Sequence, residues 1–366
     1  MLSSKLLLVM LALAAFTTST AQADPRWPRG EVVVPSQLFR TKSKLDRVVL
    51  ESNPRIYLPR ELDLAAKEKI LVIGMPGWGG RSENFIGSLY NGLTDPKLRR
   101  RLVLAAIQDP RTRGPRFQGQ GDAPHANVWS LDDESIPALR HFVERLAAEL
   151  GHLGVYLFGF SSGSPAAPLA SVRIALASKS KGFRMEGAIS LGTGSPVAAR
   201  KLKATGQRVL FLVAPKTRKK EVKARRYDQA KRATAEAGQE RLTDNGATTY
   251  LRHIDSARRH FDWHWGLMSQ CRYYRAGRYD KGRGYWPNYW MPNPETFGHM
   301  MAFVQGKAPS ESLAPPATRC PHPPNVNNPD DPDAKVNDPT RQTPWAPGTV
   351  APEAKRGEPA PPPTEW

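Results

Sequence analysis

The sequence predicts an α/β fold, a mostly parallel central sheet with helices on both faces, followed by a C-terminal segment that does not fold with it. Three observations carry this reading. Between residues 69 and 254, short apolar, β-branched runs alternate with amphipathic stretches, the pattern of strands joined by crossover helices. One run, Val155-Tyr156-Leu157-Phe158, passes directly into Gly159-Phe160-Ser161-Ser162-Gly163 and then into the small-residue start of a helix. Beyond residue 307, Pro, Asn, Asp and Thr displace apolar periodicity, as in Pro323-Pro324 and Pro361-Pro362-Pro363. Such a composition buries too little surface to offset its ordering entropy and predicts a disordered tail over 308–366.

Taken in order, the chain opens on Lys5, an apolar run over 6–16, a polar stretch over 17–20 and Ala21-Gln22-Ala23. Those are the three parts of a secretory signal peptide, with cleavage expected after Ala23. The run falls well short of the roughly 20 apolar residues that span a bilayer as a helix. The expected organisation is therefore a signal peptide over 1–23, one domain over 24–307 and the tail. A periplasmic or secreted location follows, with no transmembrane anchor after signal cleavage.

Strands are expected at 70–74, 102–107, 155–160, 188–191, 209–214 and 248–254, with 48–50 and 55–58 as an antiparallel edge pair. The helix over 136–150 follows the acidic lead Leu131-Asp132-Asp133-Glu134-Ser135. Its apolar positions are Ile136, Leu139, Phe142, Val143, Leu146, Ala147 and Leu150, and Gly151 stops it. Further helices are expected at 164–178, at 221–242, where charge dominates, and at 294–305. Two stretches break the rhythm: a loop rich in Gly, Arg and Pro over 109–130, and an aromatic segment over 261–292. Long irregular segments in a compact domain are either functional or disordered.

The formal net charge is +19, and the tail carries more acids than bases, so the folded part is more basic still. Such a field favours anionic surroundings, envelope lipids or acidic polymers among them. No helix-turn-helix, zinc or single-strand-binding pattern accompanies the charge, which argues against nucleic acid as a partner. The basic run over 216–232 reads as a solvated helix face. Two cysteines, Cys271 and Cys320, are too few for a thiolate metal site. In an oxidising compartment they read as a disulfide, the alternative being two unpaired thiols.

The chemistry centres on Ser161. A nucleophile raised on a sharp strand-to-helix turn needs neighbours two residues away on either side that lack bulk, and Gly159 and Gly163 meet that need. An oxyanion hole requires a second backbone N–H from a loop after an earlier strand. Met75-Pro76-Gly77-Trp78-Gly79-Gly80 follows the run at 70–74, and the amides of Trp78 and Ser162 are the candidates. A plain glycine turn without chemistry is the alternative in both places.

Strand, glycine-rich loop, helix, elbow and later strands together resemble the α/β-hydrolase family over residues 69–306. Secreted polyhydroxybutyrate-depolymerase and feruloyl-esterase-like members are the nearest subset, and the lead over 129–143 is similar to theirs. The chain departs from them in carrying Pro76-Gly77 where members often have His-Gly. The resemblance implies a general base in the loop after the last strand, which selects His260, with His264 in reserve; His253 falls in the strand and His299 in the final helix. It also implies an acid after the penultimate strand. There Pro215-Lys216-Thr217-Arg218-Lys219-Lys220 holds no carboxylate and Glu221 is the first, while Asp255 and Asp262 flank the histidine. Trp129 and Trp263 are candidate substrate contacts, within aromatic surroundings that suit either a binding platform or a packed cap.

The function so implied is a serine esterase acting through an acyl-enzyme on a small-molecule or polymeric ester, with no metal or cofactor. Two alternatives remain open: a non-catalytic glycan- or polymer-binding protein on the same scaffold, and an exported serine peptidase.

Overall fold

A computed structural model of the chain describes residues 29–30, 32–35, 38, 43–51, 54–77, 86, 89–90, 92–107, 135–177, 182–192, 206–214, 222–244, 246–255, 269–272 and 290–310. Eight strands form one sheet: β1 (Val32–Val33), β2 (Arg55–Tyr57), β3 (Lys69–Met75), β4 (Leu102–Ala106), β5 (Leu153–Phe160), β6 (Phe183–Leu191), β7 (Arg208–Val213) and β8 (Thr248–His253). Their spatial order is β1-β2-β4-β3-β5-β6-β7-β8. β2 runs antiparallel to both β1 and β4, and every pairing from β4 through β8 is parallel.

The central strands are buried along their whole length, as expected of a parallel sheet covered on both faces. Alternate side chains go to opposite sides. Leu71, Ile73, Val155 and Leu157 meet Phe142 and Leu146 of α3 (Ser135–Leu150) and Ala167 and Ile174 of α4 (Ala166–Ala177). Ile70, Val72, Tyr156 and Phe158 meet Leu89, Leu93, and Phe297 and Phe303 of α6 (Pro294–Val304). α5 (Val222–Asp244) joins the first face, where its Ala235 and Leu242 pack with Val209 and Phe211. Helices thus cover both faces, as the apolar periodicity predicts. α3 ends at Gly151, in the left-handed region at φ +85°. The buried Lys69 ammonium satisfies one of its last carbonyls, donating to Leu150 O at 2.8 Å and to Ala66 O at 2.9 Å.

The expected edge pair is corrected at one member. Residues 48–50 lie in a helix, α1 (Lys44–Glu51), because Ser43 caps it: the Asp46 N–H donates to Ser43 Oγ at 3.0 Å and Ser43 Oγ donates to Asp46 Oδ2 at 2.8 Å. Val49 is buried, Val48 packs on the same core, and Asp46 Oδ1 meets His141 Nε2 of α3 at 2.6 Å. The strand at 55–57 pairs instead with β1, Val32 opposite Tyr57. The short α2 (Pro96–Arg99), capped by Asp95, was not expected.

Within the aromatic segment, β9 (Ser269–Arg272) and β10 (Trp290–Pro292) form a two-stranded antiparallel pair. The signal-peptide region, the loop at 109–130, the rest of the segment at 261–292 up to Trp290, and the tail from 311 onward lie outside the described residues. Residues 309 and 310 are held to β8: Arg252 Nη2 donates to Pro309 O at 2.7 Å and Nε to Ser310 O at 2.6 Å.

Candidate active site

The site is built on a backbone discontinuity at the end of β5. Phe160 is still extended, at φ −120° and ψ 136°. Ser161, next in line, has φ +54°, the only positive value at a non-glycine among the described residues. An L-residue held there costs about 1–2 kcal/mol, a strain that persists where the surrounding structure over-determines it. A single 3₁₀ turn over Ser161–Gly163 follows, closed by the Ser164 N–H on Ser161 O at 3.0 Å, and α4 begins soon after.

The surroundings do over-determine it. A Cβ on Gly159 would fall 2.0 Å from Gly163 O, and one on Gly163 would fall 2.1 Å from Met75 O. The strand, the turn and the end of β3 therefore touch backbone to backbone, which only glycine permits. Ser164, fully buried, donates through Oγ to Leu191 O at the end of β6, and Ser190 Oγ donates back to Ser164 O at 3.0 Å. The elbow is thus bonded to the strand on one side and wedged on the strand at the other.

The loop leaving β3 reaches the serine itself. A Cβ on Gly77 would lie 2.6 Å from Ser161 Cβ, 2.9 Å from Phe160 O and 3.2 Å from Ser161 Oγ. Ser161 is half-buried, and the start of the glycine-rich loop and the elbow meet at its side chain. Ser162 belongs to the 3₁₀ turn, whereas Trp78 lies outside the described residues.

His253 closes β8, in register with Val213, and is exposed. His299 lies in α6 as expected and is a core residue, 1 % exposed. Burial, with the Arg252 charge adding to it, pushes its imidazole down to about 4, so it is neutral at ordinary pH. Asp255 follows β8, exposed, with its backbone N–H donating to Glu295 Oε1 at 3.0 Å. His260, His264, Asp262, Glu221, Trp129, Trp263 and Cys320 lie outside the described residues. Cys271 is in β9, and its proposed bond to Cys320 is likewise outside them.

Glu295 is the residue that sequence reasoning missed. It is 4 % exposed, in the first turn of α6, where Asn293 Oδ1 accepts the N–H groups of Glu295 at 3.1 Å and Thr296 at 3.2 Å. Asn293-Pro294-Glu295 is legible as a helix start. The reach of the carboxylate back to residue 255 is not. Among the described residues, no group of three His, Cys, Asp or Glu side chains could hold a metal ion.

Strand order, a single antiparallel strand, β2, and a serine at positive φ directly after the fifth strand decide the architecture. The chain has an α/β-hydrolase fold. No family model matches the sequence, and no curated protein matches it. Among solved structures, this α/β-hydrolase domain is similar to a thermostable esterase (14 % identity, TM-score 0.35), over 54 % of this chain and 49 % of that one. The chain therefore spans about half the length of that esterase. It is also similar to the esterase PE8 (19 % identity, TM-score 0.37), over 53 % and 86 %. A third is LpqC, a poly(3-hydroxybutyrate) depolymerase from Bordetella parapertussis (14 % identity, TM-score 0.31), over 58 % and 88 %. Likenesses of this size assign no activity, and the fold assignment rests on the chain's own topology and elbow.

Proposed function

We propose that this protein is an exported serine hydrolase that cleaves carboxylic esters through an acyl-enzyme. The observation that carries the proposal is Ser161 at φ +54°, strained on a turn that three close-packed glycines shape, with Gly77 against its side chain. Strain held at a half-buried hydroxyl is expected where geometry serves chemistry rather than packing.

In this reading Ser161 Oγ forms a bond to the ester carbonyl carbon while His260 takes its proton. The amides of Trp78 and Ser162 receive the negative charge on the carbonyl oxygen. The carbon–oxygen bond to the alcohol then breaks, and the alcohol leaves with the proton from His260. Water repeats the addition, the carboxylic acid departs, and the proton returns to Ser161. A carboxylate orients the imidazole, with Glu221, Asp255 and Asp262 as the candidates, and Trp129 and Trp263 contact the substrate. Signal cleavage after Ala23 delivers the enzyme to the periplasm or the medium, where its positive charge favours anionic envelope surfaces.

Ser161→Ala is expected to lower kcat for p-nitrophenyl esters of short acids by more than about 1,000-fold, since the remaining groups supply only residual catalysis. A variant that keeps the wild-type rate would overturn the mechanism. The absence of any carboxylate over 215–220 favours a second reading, a binding protein that has kept the scaffold without the chemistry. Stoichiometric labelling of Ser161 by a fluorophosphonate separates the two, because a binding protein would not react. Parallel assays on ester and amide substrates separate an esterase from a peptidase.

A further inference from the structure

If His260 is to meet Ser161, the chain must leave β8 in a defined direction at Asp255. Three observations show what fixes its first residue. Ile254 is fully buried and its N–H donates to Val213 O at 2.9 Å, so the chain stays in register with β7 one residue beyond the strand. At the next residue the backbone N–H of Asp255 leaves the sheet ladder and is taken by Glu295 Oε1 at 3.0 Å. Glu295 is itself immobilised, 4 % exposed in the first turn of a helix whose N-terminus Asn293 caps. That helix is seated by Phe297: a Cβ on Gly92 would lie 2.1 Å from the Phe297 ring, so the ring packs directly on the Gly92 backbone.

We propose that Glu295 is a positioning residue for the reaction: its buried carboxylate accepts the Asp255 N–H and thereby sets the direction in which the chain leaves β8, on which the approach of His260 to Ser161 depends. The idea rests on the serine-hydrolase reading above. The helix register places a rigid acceptor at the C-terminal end of β8, the same sheet end as the elbow, and His260 follows within five residues of the anchored amide. Burial in the first turn of the capped helix holds the acceptor in place without substrate. The role is one of geometry, carried by an acceptor oxygen, and it does not require the carboxylate to touch the imidazole.

The test compares Glu295→Ala and Glu295→Gln with the wild type in the full chain, by steady-state hydrolysis of p-nitrophenyl acetate and by the rate of fluorophosphonate labelling at Ser161. Glu295→Ala is expected to lower kcat by about 100-fold with KM within about twofold, the size of loss that a displacement near 1 Å produces, and to slow labelling in parallel. Glu295→Gln keeps a carbonyl acceptor for the Asp255 N–H and is expected to stay within about threefold of wild type in both measurements. Wild-type kcat and labelling in Glu295→Ala, with only its thermal midpoint lowered, overturns the positioning role and leaves the hydrolase reading intact. A wild-type protein that does not label at Ser161 overturns the hydrolase reading instead. If Glu295→Ala does not fold, Glu295→Asp withdraws the acceptor by one methylene; a kcat loss at unchanged KM supports the proposal, and full activity overturns it.

Discussion

At φ +54° the Cβ of Ser161 crowds the following carbonyl, a cost that glycine would not carry. Ser161→Gly is therefore expected to be more stable than Ser161→Ala by about 1 kcal/mol, both being inactive, as measured by urea unfolding midpoints at constant m. Equal midpoints would show that the elbow relaxes once the hydroxyl is gone. The flanking glycines were legible in the sequence, because their spacing about the serine is local and the turn imposes it. Gly77 was legible only as part of a glycine-rich loop. Its contact with Ser161 joins residues 84 positions apart, and no local pattern records such a contact.

The final helix shows how much one element settles. Its apolar face, Phe297, Met300 and Phe303, packs under the sheet, and its first turn holds Glu295 against the end of β8. The same face buries His299, whose Nδ1 finds no hydrogen-bond partner among the described residues. Its folded pKa lies near 4 through burial and the nearby Arg252 charge, below the unfolded value of about 6.5. Between these two values the unfolded chain binds a proton that the folded chain refuses, so stability falls as pH is lowered through that window and is unaffected above it. The loss is on the order of 3 kcal/mol by pH 4. His299→Leu is expected to flatten this limb, seen as a smaller difference between urea midpoints at pH 7 and pH 4.5. Periodicity found the helix but not this histidine's state, since an apolar environment is a property of the assembled core. The same limit explains α1: the short run at 48–50 suits a strand or a helix, and the Ser43 cap, with Asp46 tied to His141 of α3, chose the helix.

Across the whole molecule, the sheet brings the ends of β3, β5, β6 and β8 to one edge, and the proposed chemistry sits there. If the chain is exported as proposed, the mature protein starts at Asp24 and its two cysteines are joined. Intact mass spectrometry of protein recovered from the periplasm or medium is expected to give that N-terminus, and a mass lighter by two hydrogens than after reduction. Free thiols reacting with iodoacetamide before reduction would refute the bond. By itself the sequence determined the alternation of strands and helices and the elbow, because burial periodicity and turn chemistry are written within a few residues of where they act. Only the tertiary structure decided that β1 rather than 48–50 pairs with β2, that Gly77 meets Ser161, and that Glu295 holds Asp255. Periodicity states which face of an element is buried, but the neighbour that buries it is chosen by the packing of the whole chain.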